Sequence, residues 1–476
     1  MKNRTKRFTT LVALSLCAAL LGGLFAACDK TKKGGKAGES TSQSTVPIAA
    51  AGELTVRVYA PDTAQKALWQ ALAADYKAVT GVNLALTETP ETPAVEHLKE
   101  ALGRAEAPSV FLFTNPSEYA AWKDHAADLT NSEAFKRLLD PKLALTAEGK
   151  PVAVPLGVHA FGIIYNKKIM NAYFSLASKA TSYTKPEEIN DFSKLNALVK
   201  DMTENKKALG IDGVFAAPTL KEGEDSALSH RLLSLPLSYE FQTGKAEWTG
   251  AGVNKITFKY AEAYKKLLDM MLTNTTAAAE AFTNRAEEAA IGELATGKAA
   301  MLLGGTELWG KLNTAAAGTL TTADIGMLPA QLQFSESEKS SLALEPQCYA
   351  AINTKASAEE QAAAAAFLEW LVSSEKGLDF IATRLNWLAP FSTVTETSLP
   401  ANPLCTDTFT QLKAGDATAI HLVSAAALSP GAEFRDKTVA AGLVAYAKGE
   451  AAWDDFTASV KDKWKEAREK IAEAIK

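Results

Sequence analysis

Apolar and polar side chains alternate over Leu54-Thr55-Val56-Arg57-Val58-Tyr59, a period of two that predicts a strand. Leu68, Trp69, Leu72 and Tyr76 then fall at helical spacing, in a segment opened by Pro61-Asp62-Thr63, running to about Val79 and closed by Thr80-Gly81. Val82 to Thr87 predicts a second strand and Val95 to Arg104 a helix. The run Pro108-Ser109-Val110-Phe111-Leu112-Phe113 predicts a strand buried on both faces. Strand–helix–strand–helix–strand is the order of a parallel sheet with helices on its faces. A helical segment to about Leu139 follows, then two short apolar strands between Lys150 and Lys167, hinged by Pro155 and Gly157. Ala286 to Leu294 and Ala358 to Val372 read as helices, and Trp453 to Ile475 as a closing amphipathic one.

In sheets of this kind ligands bind beyond the carboxyl ends of the strands, which singles out the loops Ala60 to Thr63, Thr87 to Thr92 and Thr114 to Tyr119. None holds a glycine-rich phosphate cradle, and the chain lacks GxGxxG and GxxxxGK[ST] throughout. Nucleotide chemistry is not expected.

The start of the chain has a different pattern. Lys2, Arg4, Lys6 and Arg7 precede an uncharged apolar run from Thr9 to Ala27, and small residues at Ala26 and Ala27 stand directly before Cys28. Basic segment, apolar segment and small-residue cleavage site are the layout of a secretory signal peptide. Leu24-Phe25-Ala26-Ala27-Cys28 resembles the bacterial lipobox, with Phe25 where most have Leu. That resemblance implies cleavage before Cys28 and acylation of its thiol. Asp29 resembles the residue that retains lipoproteins in the inner membrane of some diderm bacteria. A retained transmembrane anchor and plain secretion are the alternatives. Asp29 to about Ala50, rich in Lys, Gly, Ser and Thr, reads as a flexible tether.

With 476 residues the chain exceeds what one core supports, so two lobes are expected. It carries 50 Lys and Arg against 55 Asp and Glu, and removing a leader that holds four of the bases makes the remainder more acidic. Nucleic acid is therefore not an expected partner. After loss of Cys17 with the leader and use of Cys28, Cys348 and Cys405 remain, either as one disulfide or as two buried thiols. His97, His125, His159, His230 and His421 never stand at metal-ligand spacing with cysteine. No catalytic residue, cofactor or metal is expected.

Three stretches carry a family resemblance. They are Pro155-Leu156-Gly157 through Tyr165-Asn166-Lys167, then Gly297-Lys298-Ala299-Ala300-Met301 through Gly304-Gly305 and Trp309, then Asp324 to Pro329 with Tyr349 to Asn353. The helix 358–372, Val439 to Tyr446 and the closing helix come next, in the same order. Together these resemble the family 1 extracellular solute-binding proteins, the sugar-receptor lipoproteins of ABC importers. The resemblance implies an α/β fold of two lobes (type II periplasmic-binding-protein-like), each a mainly parallel sheet flanked by helices. Residues 1–27 are then the leader and 28–51 the lipidated tether. Residues 52–156 with 323–373 are expected to form the first lobe, and 157–322 with 374–476 the second.

Sugar sites need aromatic plates and hydrogen-bonding side chains. By the resemblance, the ligand-binding candidates are Asn115 and Glu118 after the third strand, His159 after the hinge glycine, Glu307 and Trp309 after Gly304-Gly305, and Arg384, Asn386 and Trp387 before Pro390. Glu345 is a weaker candidate at the hinge; Tyr119 and Trp122 read as a buried helical stripe. Each has a plainer role beside it: a packed Trp, a solvated carboxylate, an interface histidine, a helix end. The implied function is capture of a mono- or oligosaccharide between the lobes and delivery to an ABC permease, by a monomer lipid-anchored through Cys28 outside the cytoplasm. Glu118, Glu307 and Glu345 would suit a cationic solute such as a polyamine if they converge. A peptide receptor and a surface adhesin are further alternatives. An exported glycoside hydrolase would need two flanking carboxylates, and no acid here sits in such a motif; GxSxG is absent.

Overall fold

The computed structural model describes residues 55–60, 65–87, 95–114, 122–223, 227–246, 251–332, 334, 341–414, 418–421 and 431–474, all within the compact unit Ala49–Lys476. The leader, Cys28, the tether, Asn115, Glu118 and Tyr119 lie outside the described residues. In chain order the strands are β1 Thr55–Tyr59, β2 Asn83–Thr87, β3 Val110–Phe113, β4 Leu145–Ala147, β5 Lys150–Pro155 and β6 Val158–Asn166. They continue as β7 Gly213–Phe215, β8 Ala299–Gly305, β9 Ile325–Pro329, β10 Ser341–Pro346, β11 Tyr349–Ile352 and β12 Thr418–His421.

The first sheet has the order β2-β1-β3-β11-β5-β4. Its parallel half is built as the sequence pattern requires. Val56 and Val58 of β1 are fully buried, while Arg57 on the opposite face pairs with Glu360 at 2.7 Å. The helix Lys66–Thr80 buries Trp69, Leu72 and Tyr76, with Trp69 edge-on to Phe380 and Tyr76 edge-on to Phe367. Gly81 takes φ +76 and donates its N–H back to the Lys77 carbonyl, which stops the helix. Trp122 is buried, against Phe111 and Phe113, just ahead of the short turn Lys123–His125.

The second sheet has the order β12-β10-β6-β8-β7, with β9 also on β6. The nine-residue β6 is its spine. One edge of β6 pairs with β8, and the other receives β10 at Val158–Phe161 and then β9 at Gly162–Asn166. A Cβ on Gly162 would lie 2.3 Å from the Leu328 carbonyl oxygen, so the close approach of β9 requires glycine there. Both sheets are mixed. β2, β1 and β3 are parallel, whereas β4 and β5 form a local antiparallel hairpin turning through Glu148 and Gly149, and β11, on which the chain re-enters this sheet, runs antiparallel to both β3 and β5.

Three segments cross between the lobes, the first two side by side. The first is Pro155–Val158, linking β5 to β6; the second is Pro346–Tyr349, linking β10 to β11. They are tied by Leu156 N–H to the Cys348 carbonyl at 2.7 Å and by Gln347 N–H to the Gly157 carbonyl at 3.0 Å. The third lies between Phe391 and the helix Pro403–Ala414; from the first lobe, the Leu388 carbonyl accepts from Val158 N–H of the first crossing at 2.8 Å.

These crossings move the expected lobe boundaries. Return to the first sheet was expected at residue 323, but β9 and β10 both pair with β6 in the second sheet, and the chain returns only after Pro346. The expected change to the second lobe at 374 also shifts. The turn Phe380–Arg384 lies against Trp69, and Phe391 bridges to Leu138, so this stretch belongs with the first sheet. The helix Pro403–Ala414 is the first element after it that packs along β9 and β6. Cys348 and Cys405 are both free and buried, which removes the disulfide alternative.

Candidate functional site

The hinge-proximal end of the second sheet gathers a polar cluster. His159 on β6 and Glu345 on β10 are directly opposed in the antiparallel pairing. Arg231 reaches both carboxylates: Nη1 lies 2.8 Å from Glu307 Oε1 and Nε lies 3.2 Å from Glu345 Oε2. His159 Nδ1 is 3.0 Å from the Thr306 hydroxyl, which also accepts from Ala160 N–H at 3.2 Å. Asn402 fixes Thr306 from behind, donating Nδ2–H to its carbonyl at 2.8 Å.

Local sequence explains how these groups meet. Gly304 and Gly305 end β8, and a Cβ on either would collide with the turn just beyond the strand, at 2.4 Å from Leu308 Cδ1 and 2.1 Å from Glu307 Oε2 respectively. Gly305 is thus what allows Glu307 to fold back along its own strand, while Gly304 makes room for Leu308. Arg231 comes from a wide helical turn, Leu228–Leu232, in which Leu232 N–H reaches back five residues to the Ala227 carbonyl. Such turns are frequent at functional sites.

Burial dominates the electrostatics. It pushes the His159 imidazole down to about 4, with Glu345 opposing and Arg231 adding to the shift, so the ring is neutral at physiological pH. Burial pushes the Cys405 thiol up to about 12, against a hydrogen bond from Thr306 and with the Glu307 charge reinforcing. Tyr349, just across the second crossing, is also raised by burial and by Glu345. The site therefore offers a neutral imidazole and two carboxylates braced by one guanidinium: hydrogen-bonding groups suited to a polyhydroxyl solute.

Of the expected site residues, His159 and Glu307 come together here, with Glu345 beside them. Trp309, half-buried, opens the helix Trp309–Ala316 two residues beyond Glu307. Arg384 and Asn386 are exposed, and no described hydrogen bond or ion pair joins them to the cluster. Asn386 instead takes φ +56 at a helix end, a backbone role. Trp387 is half-buried against Gly157 at the hinge. Arg231, Thr306 and Asn402 were not anticipated. Arg231 lies in a plain helical stretch with no motif, so only the fold could reveal it; Thr306 was adjacent to a recognised one. Among the described residues no cluster of His, Cys, Asp and Glu could hold a metal ion.

Residues 71–403 match the family model described as bacterial extracellular solute-binding protein. Among solved structures, a family 1 extracellular solute-binding protein from Bifidobacterium longum subsp. infantis matches at 16% identity and TM-score 0.59, covering 87% of this chain and 99% of that one. The cyclic α-maltosyl-1,6-maltose binding protein of Arthrobacter globiformis matches at 18% identity and TM-score 0.58, over 88% and 99%. A de novo designed cysteine esterase matches at 14% identity and TM-score 0.62, over 89% and 99%. At these identities the likeness is one of fold. No curated protein matches.

Proposed function

Since the chain belongs to the bacterial extracellular solute-binding protein family, we propose that it is the receptor of an ABC importer for a mono- or oligosaccharide. The solute lies between the lobes against the His159–Glu307–Glu345 cluster, with Trp309 as its aromatic platform. Closure of the lobes about the three crossings completes the site, and the permease distinguishes loaded from empty receptor by shape. The protein acts as a monomer outside the cytoplasm, tethered through lipid on Cys28. No described helix is long and apolar enough to cross a membrane.

One observation carries the choice of solute. Glu307 and Glu345 do converge, which by itself would favour a polyamine or another cation, but they converge on Arg231. The guanidinium occupies the place a cationic solute would take. What the braced carboxylates and the neutral His159 offer is hydrogen bonding to hydroxyls, and the sugar-binding likeness of the Arthrobacter protein agrees with this. Cys405 does not favour esterase chemistry, because an activated thiol needs a lowered pKa and that of Cys405 is raised by burial.

A thermal-shift screen of sugars, polyamines and short peptides tests the reading. A ligand at a hundred times its dissociation constant stabilises the folded state by about 2.7 kcal/mol, enough to move the melting temperature by about 2 °C or more. A saturable shift with a sugar is expected; a shift with polyamines alone would remove the sugar assignment.

A further inference from the structure

The wide helical turn Phe380–Arg384 of the first lobe ends in a capping motif, with Leu385 N–H bonded to the Phe380 carbonyl and Trp387 N–H to the Ile381 carbonyl, both at 3.0 Å. Between them Asn386 takes φ +56, a conformation asparagine tolerates better than most residues. The motif locks the Trp387 backbone to the first lobe and aims its side chain at Gly157, in the first crossing. A Cβ on Gly157 would lie 2.4 Å from Trp387 Cβ, 3.0 Å from Cγ and 3.1 Å from Cε3. The indole is therefore seated on bare backbone, and Val158, the next residue, is held by the Leu388 carbonyl next to Trp387.

We propose that Trp387 is a positioning residue for solute capture: seated on Gly157, it limits how far the second lobe turns relative to the first in the empty receptor. Turning the lobes requires backbone rotation within the crossing segments. Rotation at Leu156–Val158 changes the surface that Gly157 offers the indole, so each interlobe angle carries its own packing energy. Without the ring this restriction is lost, the empty protein samples a wider range of angles, and more freedom must be given up when ligand closes the lobes.

The test needs no ligand, so it stands apart from the sugar reading. Spin labels are placed at exposed helix positions on the two lobes, Lys77→Cys and Lys200→Cys, in the full chain with Cys17→Ser and Cys28→Ser; the remaining thiols, Cys348 and Cys405, are buried. Interlobe distance distributions are then measured by pulsed electron paramagnetic resonance. Trp387→Ala is expected to broaden the distribution. Gly157→Ala is expected to do the same, because its methyl displaces the ring, while Trp387→Phe retains most of the restriction. If Trp387→Ala does not fold, Gly157→Ala against wild type carries the comparison. An unchanged distribution in the folded variants overturns the proposal. Were solute binding lost at the same time, Trp387 would be a direct ligand contact instead.

Discussion

His159 and Glu345 face each other across β6 and β10, so a neutral imidazole and a carboxylate share one end of the second sheet. Burial, with Arg231 nearby, holds the imidazole at about 4 despite Glu345. The unfolded chain titrates near 6.5. Above pH 6.5 the ring is neutral in both states and adds no pH dependence. As the pH falls from 6.5 toward 4, the unfolded chain takes up a proton that the folded chain refuses, and stability is lost. The loss from this group is about 3 kcal/mol at most. Urea midpoints at pH 7 and pH 4.5 should show a larger fall for wild type than for His159→Gln. Equal falls would mean that His159 titrates freely in the folded protein.

Arg231 braces two carboxylates, and all three side chains are largely shielded from water. Removing the guanidinium with Arg231→Met leaves Glu307 and Glu345 repelling each other, at a cost of about 1–3 kcal/mol. Adding Glu345→Gln removes one of the two charges, so the double variant should lose less than the sum of the single losses. A double-mutant cycle from urea denaturation checks this. Strict additivity would show that the two groups do not act on each other.

How much of this was legible beforehand depends on range. β1, the helix Lys66–Thr80 and its stop at Gly81 follow from neighbouring residues, through alternation, helical spacing and one left-handed glycine. Lobe membership of β9 and β10 does not. Both are short apolar strands placed by long-range pairing, with β6 more than 150 residues earlier and, for β10, with β12 as well. The candidate site divides in the same way. His159 and Glu307 flank recognisable glycines, whereas Arg231 becomes visible only when the fold brings it to Glu307 and Glu345. Asn386 takes a left-handed backbone at a helix end, a placement that local sequence does not reveal.

Trp309 is only half-buried, so its loss should affect binding more than folding. If the indole is the sugar platform, Trp309→Ala weakens solute binding by roughly tenfold to a hundredfold, as is usual for an aromatic anchor. Calorimetric titration of wild type and variant with the sugar identified by the screen measures this. A variant with unchanged affinity and a lowered melting temperature would assign Trp309 to packing beneath the loop.

The lipid assignment of Cys28 rests on chemistry that a single atom decides. Acylation needs the thiol, and serine cannot replace it. The diacylglycerol group brings two acyl chains, and two are enough for stable anchoring where one is marginal. Wild-type protein expressed in a bacterium should therefore enter the detergent-rich phase on cloud-point separation, and Cys28→Ser should move to the aqueous phase if the leader is still removed by another route. Mass spectrometry of the amino terminus distinguishes the alternative. The uncharged run Thr9 to Ala27 approaches the roughly 20 residues needed to span a bilayer. A Cys28→Ser protein that stays with detergent and keeps residues 1–27 is anchored by its unprocessed leader, which leaves the lipid assignment intact. A wild-type protein that keeps residues 1–27 with an unmodified thiol would end it.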